Sequence, residues 1–338
     1  MKTDKTRIKK IIGKASPLII LIAVMSLLHI FGVLTWNRDL AALEVGLINS
    51  LVVLALFLSY SMLNVCDLST DGCYTLGIAV GGVFAAMGHP FLAILAALAA
   101  GAASGFVTAF LQTKMGVNSL LAGIIVNTGL YSINIVIMGK STINVFKSNT
   151  LFTLTAKMLG DGEISEYCAL IVSGAAVITV LTLLSYFLRT RLGLAIRATG
   201  DNPDMVRSSS INPAVTTIIG LCVSGSVTAL SGCLFIQYAK SADINVGTGM
   251  VTMALASLLI GGVFIGEGGI FIRGVGAVLG AIIFRLIYAI AIALKIDTNL
   301  LKLVYSLIVV LAISTPYIKK QLPMLKRRMT YKKKGARQ

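Results

Sequence analysis

Long apolar runs recur along this sequence, and short polar segments that carry most of the charge separate them. Each run has about 17–25 residues, close to the length that a helix needs to cross the hydrocarbon core of a bilayer. A transmembrane β-barrel would instead show segments of about ten residues with alternating hydrophobicity, and the sequence lacks them. The pattern therefore predicts an all-α polytopic membrane protein.

We predict about ten transmembrane helices from these runs. In chain order they cover residues 17–36, 44–66, 72–88, 90–112, 119–138, 164–188, 213–238, 250–266, 270–294 and 298–316. The transmembrane domain is then 17–316, between a basic N-terminus (1–16) and a basic tail (317–338). The third helix is short and follows the polar stretch Asp67–Gly72. We therefore expect a broken or re-entrant helix over 67–88, because polar backbone at membrane depth must be buried in protein or face water.

The placement of charge orients these helices. The 338 residues are 12% charged and carry a net charge of +16. Predicted segments on one side of the membrane collect 21 Lys and Arg against 6 acids, and those on the other side collect 7 against 7. The positive-inside rule then places both termini in the cytoplasm. This distribution suits attraction to anionic lipid headgroups and argues against nucleic-acid binding.

An internal repeat is visible at an offset of 180 residues. Gly81–Phe84 recurs as Gly261–Phe264, and Leu120–Leu121 recurs as Leu300–Leu301. Since the offset spans five predicted helices, the two copies would run in opposite directions, as the inverted repeats of transporters do. Close helix packing within one subunit is predicted at four GxxxG pairs, Gly77/Gly81, Gly101/Gly105, Gly262/Gly266 and Gly276/Gly280.

The sequence shows no pattern of catalytic or metal-binding residues. Its two histidines and five cysteines are scattered, and no two cysteines form a CxxC pair. Gly139-Lys140-Ser141 resembles the end of a phosphate-binding loop, but Asn134 stands where the first glycine of that loop belongs. We therefore expect no metal site, no enzyme activity and no cofactor bound by this chain itself.

Polar residues within the predicted spans are candidates for a translocation path, because such residues are costly in a membrane. Asn49, Tyr60 and Asn64 would share one face of the second helix, given 3.6 residues per turn. A second polar face, on the fifth helix, comprises Asn127, Tyr131 and Asn134. Two interpretations remain open for both faces: they line the path, or they hydrogen-bond to neighbouring helices.

Arg285 is the one basic residue near the centre of a predicted span. It could pair with an acid at the membrane edge, or extend its side chain along the helix so that the charge reaches water. Alternatively, it could meet the carboxylate of a substrate in transit.

The loop 189–213 is the longest clearly polar segment between the predicted helices. Asn202-Pro203-Asp204 predicts a helix start, with a cap, a proline at the first position and an acid in the first turn. The following Met205 and Val206 would present apolar surface on a short helix. Such a helix could dock in the groove of a partner protein or rest on the membrane surface.

Three segments resemble permease subunits of ABC importers of the branched-chain amino acid/ribose type. They are GLAIRATGDNPDMVRSSSIN at 193–212, NVCDLSTDGCYTLG at 64–77 and QYAKSADINVGTGMVTMALASLLIGGVF at 237–264. The resemblance covers roughly residues 40–315. The combination of motifs is most similar to a subgroup associated with tryptophan or tyrosine.

The resemblance implies a multi-pass permease of the bacterial plasma (inner) membrane that dimerises around a central path. A homodimer is favoured, and a heterodimer with a related permease stays open. A cytoplasmic ABC ATPase dimer would use ATP and Mg²⁺, and an extracytoplasmic solute-binding protein would deliver the substrate. It implies that the coupling loop is carried by Gly193, Arg197, Ala198, Thr199, Gly200, Asp201, Asn202 and Met205. Asp67 and Ser69, in the family's D-L-S/T element, join the candidate path.

Several alternatives stay open. An aromatic amino acid is the favoured substrate, before branched-chain amino acids and before sugars or nucleosides. A stand-alone secondary transporter would need carboxylates deep in the spans, whereas the acids here fall near predicted span ends. Pro203 and Arg285 depart from the family pattern, and Arg285 makes the substrate class less secure.

Overall fold

The computed structural model of the chain describes residues 36–146, 148–159, 167–265 and 268–294, and also residues 300, 303, 306, 307, 310 and 314. The predicted basic N-terminus, most of the first span, most of the tenth span and the basic tail lie outside the described residues.

The described part of the chain is helical, with one small pair of strands. The helices are α1 (Trp36–Leu56), α2 (Thr70–Ala86), α3 (Pro90–Thr113), α4 (Ser119–Met138), α5 (Leu151–Leu159), α6 (Cys168–Phe187), α7 (Arg191–Asp201), α8 (Pro203–Ser208), α9 (Pro213–Ala239), α10 (Met250–Ile265) and α11 (Ile270–Ala293). A π-helical turn, Phe57–Met62, extends α1, and a 3₁₀ turn, Ile244–Gly247, precedes α10. Strands β1 (Thr142–Asn144) and β2 (Ser241–Asp243) pair antiparallel, with Ile143 opposite Ala242.

Seven segments of the described residues are long and apolar enough to cross a membrane. Six correspond to the predicted second, fourth, fifth, sixth, seventh and ninth spans, and the other joins the 3₁₀ turn to α10. The third predicted span is α2, which has 17 residues and is mostly buried against other helices. These findings agree with a polytopic all-α membrane protein.

The predicted bounds of the second span, 44–66, were wrong at both ends. The helix begins at Trp36 and ends at Met62, and residues 63–69 are not helical. Asn64 has a φ of 56°, which an α-helix does not accommodate. Its left-handed backbone turns the chain out of the helix before the polar stretch begins.

α9 is the central helix of the bundle. It has 27 residues and packs against α1, α2 and α3. Glycines permit this approach: a Cβ on Gly77 of α2 would overlap the carbonyl oxygen of Ala229, and one on Gly101 of α3 would overlap that of Gly225. The predicted packing of the Gly77/Gly81 and Gly101/Gly105 pairs within the subunit is confirmed, because all four glycines face α9.

The two ends of the bundle have different character. At one end, here called the strand end, β1 and β2 pair and α2 finishes, where Ser148 donates to the carbonyl of Ala86. At the other, here called the loop end, α7 and α8 lie next to residues 63–65 and the last turn of α3. The bundle thus has one compact β-capped end and one end built of short helices.

Candidate functional site

The loop 189–213 folds as two helices that meet at Asn202. The predicted helix start at Asn202-Pro203 is confirmed: the Asn202 side chain accepts from the backbone N–H groups of Asp204 and Met205, both at 3.1 Å. The preceding helix α7 was missed. Its signal in the sequence was Thr190, whose hydroxyl caps the helix by accepting from the N–H of Gly193 at 3.3 Å.

Close backbone contacts anchor this helix pair to the bundle. A Cβ on Gly200 would overlap the carbonyl oxygen of Met62, and one on Gly193 would overlap that of Phe187. The hydroxyls of Thr199 and Thr216 lie 2.8 Å apart and hydrogen-bond between α7 and α9. Because backbone meets backbone, a shift of α7 toward the bundle would displace residues 62–63.

The outer surface of the helix pair is exposed. Asp201, Asn202 and Met205 are exposed, and Met205 has an exposed fraction of 61%. Arg197 and Ala198 are half-buried on α7. The structure therefore divides the eight predicted coupling residues into an inner set that packs on the bundle and an outer set that faces away from it.

A cavity of about 380 Å³ lies behind the helix pair at the loop end. Its lining includes Asn64, Gln112, Thr199, Gly200 and Arg207. The cavity connects the surface of α7 and α8 with the non-helical segment 63–69. Asn64 therefore lies at the loop end, off the helical face predicted for it with Asn49 and Tyr60.

Within segment 63–69, Asp67 and Ser69 form a buried turn. One carboxylate oxygen of Asp67 accepts from the backbone N–H of Ser69 at 2.9 Å and from its hydroxyl at 2.6 Å. The hydroxyl of Thr108 on α3 donates to that of Ser69 at 3.2 Å. Both predicted path residues thus shape the entry into α2, and neither lines a cavity described here.

Two short helices, α2 and α10, begin side by side at mid-depth in the bundle. The Asp71 carboxylate, in the first turn of α2, accepts from the backbone N–H groups of Gly249 at 2.9 Å and Val251 at 2.8 Å. It therefore lies between two helix N-termini, where the partial positive charge of each favours an anion. Asp71 was missed as a site residue, since in the sequence it only marks a predicted span end.

A second cavity, of about 270 Å³, opens beside this junction. We call it the mid-depth cavity; Asp71, Gly72, Thr75, Asn127, Thr128, Tyr131, Asn134, Ile244 and Thr248 line it. All three residues of the polar face predicted on the fifth span are among them. Asn134 is buried and donates to the carbonyl of Gly72 at 3.1 Å, while its own carbonyl oxygen has no partner within the described chain.

The remaining predicted path residues lie away from this cavity. Asn49 is buried between helices, where it accepts from Tyr74 at 3.4 Å and approaches the sulfur of Met253 at 3.9 Å. Tyr60 is 42% exposed on the π-helical turn. The guanidinium of Arg285 lies 4.9 Å from the ring centroid of Tyr288, and Arg285 lines neither cavity described here.

Comparison with known proteins identifies the family. The family model described as branched-chain amino acid transport system / permease component matches residues 40–313. The tyrosine transport system permease protein of Clostridioides difficile (strain R20291) is 35% identical over 260 residues, which cover 76% of this chain and 84% of that relative. The ribose import permease protein of Escherichia coli (strain K12) is 28% identical over 279 residues, or 79% of this chain and 81% of the relative.

The fructose import permease protein of Bifidobacterium longum (strain NCC 2705) is 26% identical over 290 residues, covering 80% of this chain and 77% of the relative. No solved structure matches the chain. The family match spans the transmembrane bundle, the loop-end helices and the mid-depth cavity. The chain therefore belongs to the branched-chain amino acid transport system permease family and is an ABC-type permease, a multi-pass protein of the bacterial inner membrane.

Proposed function

We propose that this chain forms the translocation path of an ATP-driven importer for an amino acid, with an aromatic amino acid favoured. The observation that carries the coupling to ATP is the exposed helix pair α7 and α8, joined to the bundle by backbone contacts at Gly193 and Gly200. Such a rigid projection suits docking in the groove of a separate ATPase. ATP and Mg²⁺ would then act in that partner.

The contacts of the loop end supply a route for the motion. Displacement of α7 would push on Met62 and Leu63, which Gly200 touches, and so on the segment that leads to Asp67 and Ser69. That segment enters α2, whose first turn holds Asp71 and borders the mid-depth cavity. Closure of the ATPases would thus change the cavity's access through a change in the packing of discrete elements.

We further propose ten transmembrane helices in an inverted repeat, with both termini and the loop end in the cytoplasm. The helix bounds support the repeat. α2 begins at Thr70 and α10 begins 180 residues later, at Met250. The same offset separates the start of α3 at Pro90 from the start of α11 at Ile270. Both α3 and α11 have 24 residues. Short helices that begin at mid-depth, with their N-termini facing a site, are typical of such repeats.

The proposed assembly contains two copies of this chain, an ATPase dimer and an extracytoplasmic solute-binding protein. Thr128 and Tyr131 are exposed beside the mid-depth cavity, so a second copy could close its open side. The tyrosine transport relative supports an amino acid as the substrate, whereas the ribose and fructose import relatives keep a sugar as the alternative.

The proposal is tested by ATP hydrolysis in liposomes that hold this chain with the ATPase and the solute-binding protein encoded beside it. Tryptophan, tyrosine, leucine and ribose are compared as ligands. We expect one amino acid to stimulate hydrolysis, and the double variant Asp201→Ala/Asn202→Ala to lose the stimulation. Asn118→Ala is the matched control, because it removes a helix cap at the loop end outside the helix pair.

The outcomes separate the alternatives. Stimulation by ribose alone would move the substrate to the sugars, while the coupling would stand. Amino-acid uptake with no ATPase complex and no stimulation would contradict the coupling and favour a stand-alone secondary transporter.

A further inference from the structure

We infer that the mid-depth cavity binds the protonated amino group of the transported solute, through Asp71 and Asn134. This inference rests on the proposed function, since it names the chemical group by which the path would recognise its substrate. It depends on three features of the cavity wall: a carboxylate, an unpartnered carbonyl oxygen and two threonine hydroxyls whose protons are already used.

The strongest of these features is the side-chain oxygen of Asn134. It is buried on a residue that lines the cavity, and it has no hydrogen-bond partner within the described chain. Exchanging the amide's oxygen and nitrogen would not relieve it, because the nitrogen donates to the carbonyl of Gly72 at 3.1 Å. A buried acceptor without a donor is costly, so a donor supplied by a ligand would be favourable here.

Asp71 lines the same cavity, and the amide nitrogen of Asn134 donates to the carbonyl of Gly72, the residue that follows Asp71 in the chain. The backbone N–H of Gly249 donates to one carboxylate oxygen of Asp71, and the backbone N–H of Val251 donates to the other. An ionised carboxylate offers about four acceptor positions, so Asp71 retains capacity for a further donor. Among the described residues that line the cavity, it is the only one with a formal charge.

Two threonine hydroxyls of the wall add acceptors, because their protons are already used within the chain. Thr75 donates to the carbonyl of Asp71 at 3.1 Å, and Thr128 donates to that of Ile124 at 2.8 Å. Their oxygens still have lone pairs, but their protons are committed. An ammonium group has three donors and no acceptor, which matches these acceptors. A carboxylate would meet the like charge of Asp71. The amide of Asn127 and the hydroxyls of Tyr131 and Thr248 also line the cavity, and they can donate to other groups of the solute.

The experiment measures binding to the purified full chain in lipid nanodiscs, without ATPase or solute-binding protein. The probes are L-tyrosine, tyramine, which keeps only the ammonium group, 3-(4-hydroxyphenyl)propionate, which keeps only the carboxylate, and ribose. We expect L-tyrosine and tyramine to bind and the other two not to. Asn134→Leu should weaken tyramine binding about tenfold or more, the range for loss of a hydrogen bond to a charged group. Asn118→Ala, at the start of the same helix, should leave it unchanged.

Equal binding of tyramine and 3-(4-hydroxyphenyl)propionate would overturn the inference, and this comparison needs no variant that could misfold. Absence of tyramine binding, or undiminished binding to a folded Asn134→Leu variant, would overturn it as well. The proposed function is judged separately. ATP-driven amino-acid uptake with no binding of tyramine would support the importer function and contradict this binding site. Binding of tyramine without ATP coupling would support the site and contradict the importer function.

Discussion

The mid-depth junction and the loop end are held in place by different means. At mid-depth, α2 and α10 begin against one carboxylate, and α2 lies against α9 so closely that glycine is required. At the loop end, the helix pair rests on two glycine contacts, one hydroxyl pair and the buried side chains of Ile196 and Val206, while its outer surface is exposed. The comparison suggests a fixed site joined to a displaceable lever, as a permease switched by a separate ATPase would need.

The largest effect is expected from Gly77→Leu, which tests how rigid the mid-depth junction is. The new side chain would overlap the carbonyl of Ala229, so α2 and α9 would have to separate. We expect a loss of more than about 3 kcal/mol of stability and little folded protein. Size-exclusion yield and melting temperature measure this. Gly174→Leu is the control, because no atom lies near that glycine; equal damage from both variants would contradict the close packing.

The carboxylate of Asp71 is tested by Asp71→Asn. The substitution removes the charge at two helix N-termini and turns one acceptor oxygen into a donor that faces a backbone N–H group. We expect a loss of about 1–3 kcal/mol, because a buried N–H group is left without its acceptor. Thermal unfolding of the purified protein measures the effect. Asp204→Asn, exposed in the first turn of α8, should cost less than about 0.5 kcal/mol.

The lever is tested by Gly200→Val, which should push α7 away from Met62 while the bundle stays folded. We expect ligand-stimulated ATP hydrolysis to fall about tenfold, within the usual range of coupling energies, with folded yield largely kept. Gly262→Val, on the open side of α10, is the matched control. If Gly200→Val retained full stimulation, Gly200 would not be part of the transmission.

The smallest effect concerns the hydrogen bond between Thr199 and Thr216. Thr199→Val, Thr216→Val and the double variant form a mutant cycle, in which we expect a coupling energy of about 1 kcal/mol. Unfolding of the detergent-solubilised protein gives the three values. A coupling energy near zero would show that the glycine contacts and the buried Ile196 hold α7 to the bundle without this hydrogen bond.

Much of the fold could be predicted from the apolar runs, because a membrane demands helices of a set length. The predicted bounds of the fifth span, 119–138, agree with α4, and those of the seventh and ninth spans agree within one residue. The predicted end of the second span was wrong because the helix stops before the positive φ of Asn64. Apolar residues flank Asn64 on both sides, so the hydrophobic pattern does not indicate this end. Helix α7 was missed because its apolar residues alternate with arginines and glycines, and packing on segment 62–63 completes it.

By itself, the sequence determined that this is a polytopic helical membrane protein. It also indicated which loop projects from the bundle, and that Asn127, Tyr131 and Asn134 share one polar helix face. Composition, charge placement and helical spacing are enough for these, since each acts within a single segment. Only the tertiary structure decided which polar residues share a site. It brought Asp71 into the same cavity as Asn134 and between two helix N-termini. It also buried the side chain of Asn49 between helices, away from that cavity. Contacts between segments some 60 to 200 residues apart depend on how helices pack, and no local pattern encodes that.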